Sequence, residues 1–419
     1  MKKEIQHIPS GYKPSPIGII PEDWEVKRLG EVCINDGDYG LNAPATDYDE
    51  NLPTYLRITD IDDDGNFNQS DKKSVNSPLS ENYYLKDGDI VFARTGATVG
   101  KTYLYDKNNG ELVYAGFLIK FTPDKERILP YYLKSQTNTR EYANWVSITS
   151  QRSGQPGINA AEYCSYKFAL PPLAEQQRIV SVLSLWDTAI AKQTALIEKL
   201  TLRKRGLMQQ LLTGKKRLKG FEGEWSYHAI QDHFSEIRDK NDGKGHIPMT
   251  ISAKLGLVSQ THKFDRVVAG NSLDNYTLLR KGDFAYNKGN SNLYETGCIY
   301  RLKEDSAIVP FVYICFRAID NTCCEFYQQF FINHGLDKQL KQIITSGARG
   351  DGLLNVNSDD FMALKIPYPK VDEQIAIASI LTDADKELEI QKQKLAAMQA
   401  QKKGLMQVLL TGKKRIKLK

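Results

Sequence analysis

Four polar, glycine-rich stretches hold the side chains best suited to hydrogen-bonded recognition. The first runs Arg94-Thr95-Gly96-Ala97-Thr98-Val99-Gly100-Lys101, and the second Ser150-Gln151-Arg152-Ser153-Gly154-Gln155-Pro156-Gly157. Counterparts further along are Asn287-Lys288-Gly289-Asn290-Ser291-Asn292-Leu293-Tyr294 and Ser346-Gly347-Ala348-Arg349-Gly350-Asp351. Arg, Lys, Asn and Gln on exposed loops present the donors and acceptors that read base edges in a nucleic-acid groove. The candidate contact residues are therefore Arg94, Thr95, Lys101, Gln151, Arg152, Ser153 and Gln155, then Lys288, Asn290, Asn292, Tyr294 and Arg349. The plainer alternative is that all four stretches simply connect elements of an α+β fold.

Other chemistries find less support. Gly96 to Thr102 reads GATVGKT, close to a phosphate-binding loop, but that motif needs four residues between its glycines and has three here. Tyr103-Leu104-Tyr105 then continues as a strand, not as the helix whose N-terminus would hold phosphate. The six cysteines form no CxxC pair and the six histidines no HExxH, so reduced thiols are expected rather than a metal site or disulfides. His7, His228, His233, His246, His262 and His334 are scattered, with no serine or cysteine motif that implies an activated nucleophile. The Asn-Pro-Pro-aromatic and Asp-Pro-Pro-aromatic tetrads of adenine methyltransferases and a helix-opening GxGxxG are missing as well. The chain is expected to have no active site and to bind no cofactor of its own.

The elements that must position the loops are announced by a repeat. Gly206 to Arg217, GLMQQLLTGKKR, returns from Gly404 to Arg415 as GLMQVLLTGKKR, eleven of twelve residues identical at an offset of 198. The offset persists upstream, where Glu175-Gln176 maps to Glu373-Gln374 and Asp187 to Asp385. A duplication of this kind dictates architecture before any local reading does. Ile179, Leu183, Trp186, Ile190, Gln193, Ile197, Leu200, Lys204, Leu207 and Leu211 step by four and three, the spacing of a heptad seam. The second copy keeps both polar interruptions, as Gln391 and Lys402. Polar seam residues cost stability and fix register, so the two helices are expected to pair with each other, most simply as an antiparallel coiled coil within one chain.

Prolines precede each helix, and Thr213-Gly214 and Thr411-Gly412 supply the left-handed cap that ends one. A rod from Leu173 to Leu211 would be roughly 55 to 60 Å long at about 1.5 Å per residue. The basic clusters at the helix exits, Lys215-Lys216-Arg217 and Lys413-Lys414-Arg415, suit either the helix dipole and solubility or contact with phosphate or a partner.

Between the helices lie two lobes with strand-like runs and turn clusters, which read as α+β. Their sequences differ, yet their punctuation corresponds. Pro21-Glu22-Asp23-Trp24 is answered by Glu222-Gly223-Glu224-Trp225, and Lys86-Asp87-Gly88-Asp89-Ile90 by Arg280-Lys281-Gly282-Asp283-Phe284. The expected organisation is a lobe at 1–170, a helix at 171–214, a second lobe at 215–368, a second helix at 369–412 and a basic tail at 413–419. With 419 residues, 41% of them hydrophobic, the chain can bury two cores. No stretch approaches the roughly 18 to 20 apolar residues of a membrane span, so a cytoplasmic protein with no membrane partner is expected. A net charge of +5 is modest for a nucleic-acid binder and fits one that shares phosphate contacts with partners.

In its order of parts the chain resembles the DNA-specificity subunits of type I restriction-modification systems. A variable lobe is followed by PPLAEQQRIVSVL and a helix ending LLTGKKR, then a second variable lobe, DEQIAIASIL and a second LLTGKKR. The RTGATVGK segment also resembles one that recurs in that family. The resemblance implies that each lobe is a target recognition domain reading one half of a bipartite sequence in double-stranded DNA. It further implies that the helices set the distance between halves and that the subunit is not itself catalytic. Two methyltransferase subunits would dock on it, joined in the full complex by restriction and translocase subunits; S-adenosylmethionine, ATP and Mg would belong to those partners. Gln176, Gln177, Arg178 and Gln374, expected on exposed helix faces, are the candidate docking residues. The competing expectation is a structural adaptor whose coiled coil organises other proteins and whose lobes bind protein surfaces; it would show no preference among duplexes.

Overall fold

A computed structural model describes residues 8–261, 270–289, 294–319, 321–344 and 354–416. Its chain divides into two compact units, the first made of residues 1–193 and 394–419 and the second of residues 194–393. The borders thus fall inside the long helices, Leu173–Leu211 and Val371–Leu409, and each unit contains one lobe, the start of one helix and the end of the other.

In the first unit the central sheet has four strands: β1 (Asp38–Tyr39), β2 (Ile90–Ala93), β3 (Thr102–Leu104) and β4 (Leu118–Phe121). They lie in the order β1-β4-β2-β3, all antiparallel. Every residue of β2 is buried, as a strand covered on both faces requires. One face packs a core that includes Trp24, Phe92, Phe121 and Tyr163 with Ile179 and Leu183 of the first long helix, Met406 and Leu409 of the second, and Leu410 just past its end. The helix start and the helix end therefore run antiparallel against one core.

The second unit repeats the plan with β5 (Phe234–Glu236), β6 (Phe284–Asn287), β7 (Cys298–Arg301) and β8 (Ile314–Ala318) in the order β5-β8-β6-β7. Its core joins Phe234, Phe284, Phe316 and Tyr327 to Met208 and Leu211 of the first long helix, to Leu212 just past its end, and to Ile377 and Leu381 of the second. A two-stranded ribbon ties the start of each lobe to its end, Glu25–Arg28 with Lys167–Leu170 and Ser226–Ala229 with Lys365–Tyr368. The shared strand order bears out one α+β fold used twice.

All ten seam positions in each helix are buried or half-buried, as a heptad seam demands. Helix exits are also matched. Gly214 and Gly412 have φ of +69° and +71°, and the Lys216 and Lys414 N–H groups close back on the Gln210 and Val408 carbonyls at 3.1 and 3.0 Å. Each glycine lies against a tryptophan, Trp225 for Gly214 and Trp24 for Gly412, so a side chain there would meet both strain and an indole.

The exit arginines have a structural partner. In the first unit the buried Glu175 carboxylate accepts from Trp24 Nε1 at 3.0 Å and from Arg415 at 2.6 and 3.1 Å, while Arg415 also grips Asp23 at 2.8 and 2.9 Å. In the second, Glu373 accepts from Trp225 Nε1 at 3.0 Å and from Arg217 at 2.7 Å twice. Hydrogen bonding to these carboxylates raises both guanidinium pKa values further. Of the alternatives open for the basic clusters, the two arginines are committed within the chain, and Lys215, Lys216, Lys413 and Lys414 remain exposed.

Candidate nucleic-acid interface

The stretch 94–101 is the connection between neighbouring antiparallel strands β2 and β3. It is closed by Ala93 N–H on the Lys101 carbonyl at 2.8 Å and Gly100 N–H on the Ala93 carbonyl at 3.0 Å. A strand and not a helix follows, so the stretch is not built as a phosphate-binding loop. Gly96 and Gly100 have φ of +73° and +87°, and a Cβ on Gly100 would come within 2.6 Å of Val146. Tyr142 Oη donates to the Gly100 carbonyl at 2.9 Å, so the helix Arg140–Thr149 holds the loop from beneath.

The second stretch, 150–157, lies alongside the first. Gly96 N–H donates to the Pro156 carbonyl at 3.0 Å, Ile158 N–H donates to the Arg94 carbonyl at 2.9 Å, and Thr95 bridges Gly157. Two loops chosen separately from the sequence are therefore one backbone-bonded surface. Arg94 lies over the Tyr39 ring at 4.8 Å, a cation–π contact. Gln151, Ser153 and Gln155 are exposed, whereas Thr95 is half-buried.

Two of the cations are engaged. Arg152 forms a fork with Glu162 at 2.5 and 2.7 Å and donates to the Thr149 and Gln151 carbonyls at 2.9 Å. Lys101 pairs with Asp63 at 2.7 Å. Arg152 thus holds the loop in shape, and any contact it makes outside the chain has to be shared with Glu162.

The second unit preserves the docking but not the chemistry. Lys288, the residue after β6, accepts Leu354 N–H on its carbonyl at 2.9 Å, a bond like that of Ile158 to Arg94 but made two residues further from the capping asparagine. In both lobes the incoming segment then reaches an asparagine that caps a short helix, Asn159 before Ala160–Cys164 and Asn357 before Ser358–Met362. Tyr294 is half-buried, stacked on His334 at 4.7 Å with its hydroxyl 3.3 Å from that of Tyr300. It is anchored in packing. Asn290, Asn292 and Arg349 lie outside the described residues.

The expected docking set separates into two kinds. Gln176 is fully buried: its Oε1 accepts Leu129 N–H at 2.9 Å, and its Nε2 donates to the Arg127 and Pro171 carbonyls at 2.9 Å. Gln374 is its equivalent, fully buried, accepting Cys323 N–H at 3.0 Å and donating to the Pro369 carbonyl at 2.9 Å. The expectation that these two face outward is therefore corrected. They satisfy backbone groups where the lobe meets the helix, a demand set by distant segments. Gln177 is exposed and Arg178 half-buried.

No group of three or more His, Cys, Asp and Glu among the described residues is placed to hold a metal, and no helix among them is long and apolar enough to cross a membrane.

Residues 21–202 and 269–400 match the family model described as the type I restriction modification DNA specificity domain. The chain is similar to a putative type I restriction enzyme specificity subunit, MjaX, of Methanocaldococcus jannaschii, at 26% identity covering 97% of each chain. It is 23% identical to the EcoKI specificity subunit of Escherichia coli K12, covering 86% of this chain and 82% of that one. In fold it resembles a chain from a structure on complex assembly and conformational transition of the type I R-M system, with a TM-score of 0.57 at 17% identity over 94% of this chain and 99% of that chain. It also resembles the type I restriction-modification S subunit from M. genitalium, with a TM-score of 0.53 at 12% identity over 92% of this chain and 96% of that chain. With its two copies of one fold on a duplicated helical frame, the chain belongs to the type I restriction modification DNA specificity domain family.

Proposed function

We propose that the chain is the non-catalytic reader of a type I restriction-modification complex, with one lobe for each half of a bipartite DNA sequence. The observation that carries this reading is the repetition of one sheet order, β1-β4-β2-β3 and β5-β8-β6-β7, bearing loops of different chemistry at the same place. A fold kept twice while its loops diverge suits two readers of unlike sequence. Arg94 with the exposed Gln151, Ser153 and Gln155 would supply base contacts in the first lobe, and Lys288 with its neighbouring loop in the second. Phosphate contacts, which position without specifying, would come from the remaining surface and from partner subunits.

Two methyltransferase subunits would dock on the outer faces of the helices, where Gln177 and Arg178 lie on the first and Ile375 and Ala376 stand at the equivalent positions of the second. S-adenosylmethionine, ATP and Mg would be bound by the methyltransferase and restriction subunits. The test is to map methylated adenines in a host carrying this chain with its partner methyltransferase. A two-part motif with a fixed spacer is expected; methylation without sequence preference, or none, would favour the adaptor reading.

A further inference from the structure

An exposed phenylalanine stands in the same turn of both lobes. In the first, Ala115-Gly116-Phe117 leads into β4, and Phe117 is 58% exposed. In the second, Pro310-Phe311-Val312-Tyr313 leads into β8, and Phe311 is 64% exposed. Single exposed apolar residues need no explanation in general. The two turns enter corresponding strands, but the strand registers set Phe117 level with Val312 and Phe311 one residue earlier, so only Phe117 stands opposite the residue that follows β2.

Its neighbours say more. Arg94 N–H donates to the Phe117 carbonyl at 3.0 Å, extending the β2–β4 ladder by one bond, so Phe117 lies directly across from the first residue of the loop surface. Tyr39, whose ring carries the Arg94 guanidinium, pairs with Ile119, two residues further along β4. Phe117, Arg94 and Tyr39 therefore meet at the end of the sheet where the stretches 94–101 and 150–157 join. In the second lobe β8 likewise pairs with β6, whose next residue is Lys288.

A phenyl ring has no donor or acceptor to offer a base edge. The apolar feature that a duplex does present in the major groove is the thymine 5-methyl group, which phenylalanine contacts in direct readout. We propose that Phe117 is a specificity residue that contacts a thymine methyl beside the base read by the adjoining loop. This rests on the DNA-reading function proposed above.

The test uses the full chain with its partner methyltransferase on a duplex carrying the mapped target, with each thymine of the site replaced singly by deoxyuridine, which lacks only the methyl. The expected result is that Phe117→Ala weakens specific binding by about tenfold, within the range for loss of one base contact, and that Phe117→Leu retains most of it. At one position deoxyuridine should weaken the native complex but leave the Phe117→Ala complex unchanged. Binding by Phe117→Ala equal to the native chain, or losses on thymine and deoxyuridine duplexes that simply add, overturns the proposal. Native binding with no preference for the mapped target overturns the DNA-reading function itself, and this assignment with it.

Discussion

Lys204 Nζ, a polar step in the seam of the first long helix, lies 2.5 Å from Asp385 Oδ1 on the second helix, and Gln329 of the lobe donates to the other oxygen of Asp385 at 2.7 Å. The offset of 198 carries this arrangement onto Lys402 and Asp187, which pair in the first unit with Tyr131 donating to Asp187. Each helix therefore contributes one acid and one base, and antiparallel pairing satisfies both. The sequence offered the lysines as seam interruptions; their partners lie just off the seam and emerge only from the pairing.

Breaking one of these pairs should destabilise its unit. Lys204→Met or Asp385→Asn is expected to cost about 1 to 2 kcal/mol, between an exposed pair and a buried charge-assisted bond. The exchange Lys204→Asp with Asp385→Lys should recover much of that loss in a double-mutant cycle followed by denaturant midpoint. Strictly additive losses would show that the two side chains do not interact.

Because Asp187 and Lys204 share one helix, with Glu175 in its first turn and Arg217 just past its exit, the first half of the chain carries both sides of the contacts that build each unit. A fragment of residues 1–221 is expected to self-associate as a symmetric dimer, each exit arginine meeting the other copy's Glu175. Sedimentation of the fragment checks this. Asp187→Lys should weaken the dimer and Asp187→Lys with Lys204→Asp should restore it, whereas a fragment that stays monomeric contradicts the pairing.

Lys134 is pressed among Gly65, Thr137 and Asn138, and burial, reinforced by the charge of Lys402, pulls its pKa down to about 8 despite Asp62 and Asp64. Between that value and the unfolded one near 10.4, the unfolded chain binds more protons, so stability should rise with pH through this window. Lys134→Met should stabilise the protein near pH 7 and flatten the rise. Melting temperatures at both ends of the window decide it; a destabilised variant with the slope intact would falsify the assignment.

Adjacent glutamines in the first helix turn should behave oppositely. Gln176→Ala orphans Leu129 N–H and two carbonyls and should destabilise by about 2 to 4 kcal/mol, whereas Gln177→Ala should leave melting unchanged and reduce co-purification of the methyltransferase. Equal melting temperatures for the two variants would contradict the burial of Gln176.

Much of this frame is legible in the sequence, because a heptad seam and a capping glycine are local rules that a helix obeys whatever surrounds it. The α+β lobes and the loops 94–101 and 150–157 were legible from turn chemistry for the same reason. What could not be read was set by distant segments. Gln176 looks like a surface residue of a first turn until Arg127 and Leu129 arrive, and Arg217 looks like a solvated cation until Glu373 does. The bonds from Gly96 to Pro156 and from Arg94 to Ile158 span about sixty residues with no periodic signal to announce them. Phe117 carried no signal at all beyond its type.

The central claim, two independent readers on one frame, is tested most directly by replacing residues 1–170 with the equivalent lobe of another family member and mapping methylated adenines with the partner methyltransferase. The account predicts a motif in which one half-site changes and the other half is retained. Retention of both halves, or loss of both together, contradicts it.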